Sequence, residues 1–186
     1  RQNSSASNFL DLKLHDIPAT VRSALRSAAA HDVKLITVHG SDGKSILKTA
    51  SEAKDFGLEV LAVTVLTSVS ESDLNDLGYK ESLSLKQLVL DRASLAEESG
   101  CAGVVCSGEE VALIKKSCGK NFKAVVPGIR PVWADVKKDD QSRIVTPKVA
   151  ISDGADLIVV GRPIRDAEEP SLAAQKIVDE IKSATV

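Results

Sequence analysis

Short apolar runs alternate along the chain with longer amphipathic ones, and the two periods predict different elements. Six runs read as strands: Asn8–Leu14 (NFLDLKL), Lys34–His39 (KLITVH), Leu58–Thr64 (LEVLAVT), Ala102–Ser107 (AGVVCS), Lys123–Pro127 (KAVVP) and Asp156–Gly161 (DLIVVG). Most are continuous Val/Ile/Leu/Ala runs rather than apolar/polar alternations, as expected of strands covered on both faces. Between them, helical spacing predicts helices over 18–31, 43–55, 84–99, 109–117, 146–153 and 170–184. Ser82 or Ser84 is placed to cap the third of these, and Pro147 and Pro170 fall where a first-turn proline is tolerated. Strands alternating with helices imply βαβ units, hence an α/β fold around a parallel sheet.

No linker or low-complexity tract divides the sequence, so residues 1–186 are expected to form one domain. The longest irregular stretch is 128–145, GIRPVWADVKKDDQSRIV; loops of this length in compact domains are usually functional. Polar residues collect where the strands end: Asp11, Lys13 and Asp16, then His39, Thr64 and Thr67, Ser107, Arg130 and Arg162. Parallel α/β folds build their sites at strand carboxyl ends, so this distribution predicts a site there without naming a reaction.

Composition narrows the classes. The 186 residues are 43% hydrophobic and 27% charged, with 24 Lys+Arg against 26 Asp+Glu and a net charge of −2. No basic face or aromatic interleaving suggests a nucleic-acid partner. No run reaches the roughly 18–20 apolar residues of a membrane span, and Arg1–Asn8 lacks a signal-peptide core, so a cytoplasmic protein is expected. Cys101, Cys106 and Cys118 are odd in number and lack metal-site spacing. HExxH, GxSxG, Walker A and GxGxxG patterns are absent, which disfavours metal hydrolysis, serine-hydrolase and dinucleotide chemistry.

The first strand carries the densest chemistry, FLDLKLHDIPAT. Asp11 and Lys13, two residues apart, are expected on one side of the strand. Two charges in an otherwise apolar strand are costly unless they pair. They fit either a structural ion pair followed by a helix-capping Asp16, or a carboxylate–ammonium–carboxylate array that tunes a lysine for proton transfer. After the last strand, Gly161-Arg162 offers close backbone approach and a forked donor set suited to phosphate, or simply a tight turn. After the fifth, Pro127-Gly128-Ile129-Arg130-Pro131 opens the long loop, in which Arg130 and Gln141 could close on an anion; Arg143 lies in the same loop. His39 reads as a hydrogen-bonded wall residue or a base, Cys106 as a core residue, and Trp133 as a rim or base contact. Asn3-Ser4-Ser5 is a chance sequon.

At FLDLKLHDIPAT the chain resembles the orotidine 5′-monophosphate decarboxylase family, whose Asp-x-Lys-x-x-Asp-Ile-x-x-Thr signature is matched by Asp11, Lys13, Asp16, Ile17 and Thr20. AVTVLTS (62–68), AGVVCSGEE (102–110), VVPGIRP (125–131), DDQSRIVTP (139–147) and IVVGRPI (158–164) are similar to further family segments in the same order, and PGIR is the bacterial wording. The resemblance implies a TIM (β/α)8 barrel of which this chain holds six βα units, the two N-terminal units, with a substrate-contacting Asp and Lys, being expected to be missing. It also implies decarboxylation of orotidine 5′-monophosphate to UMP in pyrimidine biosynthesis, without metal or organic cofactor, by a homodimer with shared active sites. Lys13 would be the proton donor and Asp11 would lie beside the substrate carboxylate. Asp16, Ile17 and Thr20 would reach the neighbouring subunit's site. Thr67, Pro127 and Gln141 would face base and phosphate, and Arg130, Gly161 and Arg162 would hold the phosphate. Two alternatives remain: a metal-dependent sugar-phosphate decarboxylase or epimerase of the same superfamily, and a non-catalytic phosphate-binding dimerisation module.

Overall fold

The computed structural model of the chain describes residues 6–80, 82–134 and 143–184. Six strands, β1 (Asn8–Leu14), β2 (Val33–His39), β3 (Glu59–Val63), β4 (Gly103–Val105), β5 (Lys123–Val126) and β6 (Leu157–Ile158), lie in the order β1-β2-β3-β4-β5-β6. Every neighbouring pair is parallel. Sequential parallel strands with helices in the connections are the wall of a (β/α)8 barrel, with six βα units in this chain.

The helices are α1 (Pro18–Ala29), α2 (Lys44–Ser51), α3 (Glu71–Asp76), α4 (Leu85–Glu98), α5 (Val111–Cys118), α6 (Pro147–Ser152), α7 (Arg162–Arg165) and α8 (Pro170–Ala184). Ser84, rather than Ser82, caps α4 by accepting from Gln87 N at 3.1 Å, and Thr146 caps α6 through Val149 N. Pro18, Pro147 and Pro170 each occupy a first turn, where the missing N–H has no helical partner to lose. The helix expected over 43–55 is α2 followed by a 3-10 turn, Glu52–Phe56, that stops at Gly57 in a left-handed conformation. The one expected over 109–117 likewise begins as a 3-10 turn, Gly108–Glu110.

Two helices depart from the expectation. α3 forms because Ser70 and Asp73 make a reciprocal capping box, with Ser70 N donating to Asp73 Oδ2 at 2.7 Å. α7 is a single turn after Gly161, too short for periodicity to reveal. β4 and β6 are shorter than their apolar runs, because the flanking residues turn away into loops.

The core lies between sheet and helices. Ile36, Val38, Ala62, Val104, Ala124 and Val126 of the inner strands pack with Leu25, Leu47, Val89 and Ile114 from the helices, all essentially inaccessible. Truncating one such leucine to alanine costs about 2–5 kcal/mol. Two-sided burial holds for β2–β5 but not at the edges, where Leu12 is 56% and Val159 42% exposed.

β1 is irregular at its carboxyl end. Its pairing with β2 runs Leu10↔Ile36 and then Leu14↔Val38, so four residues of β1 advance against two of β2. The bulge holds Asp11, Leu12 and Lys13, and Lys13 has φ +51°, a left-handed conformation unusual for a residue with a Cβ.

Candidate active site

The bulge brings the first-strand charges together by a different route from simple alternation. Lys13 Nζ donates to Asp11 Oδ2 at 2.7 Å, while Thr37 Oγ1 donates to Asp11 Oδ1 at 2.8 Å and accepts from Lys13 N at 2.8 Å. Thr37 is fully buried on β2, whereas the Asp11 and Lys13 side chains are about half and one third exposed. The ion pair opens onto a cavity of about 350 Å³, so it is a solvated, accessible pair and contributes little to stability by itself.

That cavity sits at the strand carboxyl ends. Phe9, Asp11 and Lys13 line it from β1, Val63 and Thr67 from β3 and its following loop, Val105 from the end of β4 and Cys106 just after it, Pro127 after β5 and Val159 after β6. Two charges and the hydroxyls of Thr67 and Ser68 thus face a largely aliphatic wall, the composition of a small-molecule site. Arg130 follows β5 and Gly161 and Arg162 follow β6, and these two strands are paired neighbours. The approach to Gly161 is open, with no atom within 4 Å of where a Cβ would stand. Gln141 lies outside the described residues.

Asp16, Ile17 and Thr20 do not line the cavity; all three are exposed, Ile17 at 65%. Asp16 is not a helix cap in the ordinary sense, because its Oδ1 accepts from the adjacent Ile17 N, at 2.7 Å, and α1 starts without a side-chain cap. An exposed carboxylate, a bare isoleucine and a threonine on one turn form an outward-facing surface.

The long loop is stitched at its base. Arg130 N donates to Val145 O at 2.8 Å and Val145 N to Gly128 O at 3.1 Å, with Gly128 at φ +75°. Val145 packs so closely on Gly108 that a Cβ there would meet its Cγ1 at 2.3 Å. Arg143, read from sequence merely as part of a charged loop, is buried. Its Nη1 donates to Glu110 Oε1 at 2.6 Å and its Nη2 to the carbonyls of Val65 and Leu66. It therefore ties the loop's end to the segment that carries Thr67. Burial pushes the Glu110 carboxyl above its usual range, against the pull of the Arg143 guanidinium.

His39, at the end of β2, does not line this cavity. Its Nδ1 is 2.5 Å from Ser41 Oγ, and burial holds the ring below the usual imidazole range. Its ring meets His15 edge-on at 5.4 Å, and His15 Nδ1 pairs with Asp42 Oδ1. Among the described residues, His15, His39 and Asp42 are the group whose donor types and spacing suit a metal, but they bond to one another and Ser41 and lie outside the cavity lining. Burial also pushes the Cys106 thiol upward, which makes it part of the wall rather than a nucleophile. Trp133 holds the Lys176 ammonium of α8 over its ring at 5.2 Å, a rim contact.

Residues 1–177 match the family model described as orotidine 5′-phosphate decarboxylase / HUMPS family. The chain belongs to that family. It is 49% identical over 178 residues to the orotidine 5′-phosphate decarboxylase of Desulfosudis oleivorans, covering 95% of this chain and 72% of the relative. It is 46% identical to that of a Nostoc species, covering 93% and 75%. Among solved structures, the orotidine 5′-phosphate decarboxylase of Lactobacillus acidophilus superposes with a TM-score of 0.80 at 36% identity, over 94% of this chain and 75% of that one. The chain therefore spans about three quarters of the length of these decarboxylase relatives.

Of the residues expected from the sequence to form a site, Asp11, Lys13, Thr67 and Pro127 line this cavity. Pattern-reading missed Thr37 and the aliphatic walls from Val63, Val105 and Val159. Thr37 carries no motif, and its role appears only when β1 and β2 are laid side by side.

Proposed function

We propose that the chain carries the decarboxylating site of an orotidine 5′-monophosphate decarboxylase, forming UMP for pyrimidine biosynthesis without a metal or organic cofactor. The observation that supports it most is the Asp11–Lys13 pair, 2.7 Å apart, facing an aliphatic cavity at the strand carboxyl ends.

In this reading the C6–carboxylate bond breaks, carbon dioxide leaves, and the electron pair remains on C6. The Lys13 ammonium stands ready to protonate that carbon. Asp11 places negative charge beside the substrate carboxylate, an interaction relieved as carbon dioxide departs, so the site is adapted to the transition state rather than the ground state. The aliphatic wall thins the water around these charges and strengthens their interactions. Thr67, Pro127 and Gln141 face the base and phosphate. Arg130, Gly161 and Arg162 grip the phosphate, whose remote binding energy helps hold C6 against Lys13. Asp16, Ile17 and Thr20, exposed in the single chain, complete the site of a second subunit in a homodimer, and the enzyme works in the cytoplasm.

The test is turnover of orotidine 5′-monophosphate by the full-length protein, before and after exhaustive chelation. Expected are turnover that survives chelation and a Lys13→Ala variant that binds UMP without decarboxylating the substrate. Loss of activity on chelation would point instead to a metal-dependent sugar-phosphate reaction, and UMP binding without any turnover by wild type to a non-catalytic module.

A further inference from the structure

We infer that Thr37, a residue outside every motif in the sequence, is the positioning residue that holds Asp11 and Lys13 in reacting order. The inference rests on the roles proposed above for those two residues.

Threonine offers one O–H donor and lone pairs to accept. Thr37 Oγ1 accepts from the backbone N–H of Lys13 at 2.8 Å and spends its single proton on Asp11 Oδ1, also at 2.8 Å. Thr37 is fully buried in the middle of β2, between Ile36 and Val38, which are fully buried themselves. Its position is fixed by the core, so it acts as a rigid post against which the irregular part of β1 is set.

That part of β1 needs such a post. Between Leu10 and Leu14 the ladder to β2 is broken by the bulge. Lys13 sits at φ +51°, a left-handed conformation unfavourable for a residue with a Cβ. The Thr37 hydroxyl takes the place of the lost ladder bond at Lys13 N. It fixes the backbone from which the ammonium projects. The same oxygen, as donor, turns the Asp11 carboxylate so that its other oxygen, Oδ2, meets Lys13 Nζ at 2.7 Å. One buried oxygen thereby sets both the root of the lysine and the rotation of the aspartate. The donated bond also requires an acceptor at Asp11 Oδ1, which the carboxylate supplies and which keeps that oxygen from competing for Lys13.

Thr37 does not itself line the cavity but bonds two residues that do, so its removal should disturb the chemistry more than the binding. Thr37→Val keeps the branched shape and deletes the hydroxyl; Thr37→Ser keeps the hydroxyl and deletes a methyl. In the full-length enzyme, Thr37→Val is expected to lower kcat by about 10²-fold, the scale of an ångström-level misplacement, with KM for orotidine 5′-monophosphate nearly unchanged. Thr37→Ser is expected to retain most of kcat. The Lys13 backbone amide, followed by hydrogen exchange, should lose protection in Thr37→Val and keep it in Thr37→Ser. Unchanged kcat in Thr37→Val, equal losses in the two variants, or a loss confined to KM would overturn the inference. If the wild-type enzyme does not decarboxylate orotidine 5′-monophosphate, the functional reading fails, and the amide exchange alone decides whether Thr37 holds Lys13: unchanged protection in Thr37→Val refutes it.

Discussion

Arg143 Nη1 donates to Glu110 Oε1 at 2.6 Å across 33 positions of sequence, and both side chains are more than nine-tenths buried. The pair fastens the end of the long loop to the turn after β4, and through Val65 and Leu66 to the segment carrying Thr67. Removing one partner strands the other charge. Arg143→Ala is therefore expected to cost about 3–5 kcal/mol in urea or thermal unfolding at pH 7, while Arg143→Met combined with Glu110→Leu recovers much of it. The pH dependence has a definite sign. The Glu110 carboxyl already lies above its usual range because it is buried, and without the guanidinium it rises further. A carboxyl whose folded-state value is raised stabilises the fold at low pH and loses that contribution as pH rises through the folded value. Arg143→Ala should thus regain part of its deficit on acidification from pH 7 toward pH 5; a deficit independent of pH would contradict the pairing.

His39 should make the acid side of the stability curve steeper. Burial lowers its affinity for a proton, Arg92, His15 and Lys13 act in the same direction, and Asp42 opposes them. A group with a depressed folded value contributes stability that is present above its unfolded value, near pH 6.5, and lost as pH falls through the folded one. His39→Gln is expected to flatten the fall in melting temperature between about pH 6.5 and pH 5. An unaltered slope would show that other groups govern it.

Mixing inactive variants tests the sharing of sites between subunits. Lys13→Ala and Asp16→Ala should each be inactive alone. If Asp16 serves the partner's Lys13-bearing site, co-refolded hybrids regain activity at about a quarter of all sites, as symmetric dimers formed at random require. No recovery, in hybrids shown to form, would place both residues in one chain's site.

The buried thiols should be inert. Burial pushes Cys101 up to about 12 and Cys106 higher still, so iodoacetamide at pH 8 should leave both unmodified in the native protein and label both in urea. Peptide mass mapping would read this directly, and labelling of native Cys106 would show that the cavity wall opens.

Much of this was legible in the sequence, for reasons that can be named. The inner strands declare themselves because burial on both faces demands unbroken apolar runs, and the proline and serine punctuation places the helix starts. Lys13 and Asp11 were expected together, yet the alternation argument reached that contact by the wrong path. A regular strand would have kept them on one face with Leu12 opposite, whereas the bulge brings them together by turning the chain at Lys13. Thr37 and Arg143 could not be read in advance. A threonine in an apolar strand and an arginine in a charged loop look alike whether they hold a site or face water, and only the neighbours supplied by other strands distinguish them. α3 was readable in principle from Ser70 and Asp73, but no apolar periodicity followed them. The edges carry the opposite lesson. Leu12 and Val159 read as core positions and stand exposed, because a strand's second face is covered only where another element lies against it.

The left-handed backbone at Lys13 has a consequence for how this enzyme can be improved. Glycine at that position would ease the main chain by about 1 kcal/mol, and the half-solvated ion pair it deletes is worth no more than that. Lys13→Gly should therefore unfold no more easily than wild type while carrying out no chemistry. Stability and the role proposed for Lys13 pull in opposite directions at a single residue, and stabilising searches that score folding alone will drift toward erasing the proposed proton donor.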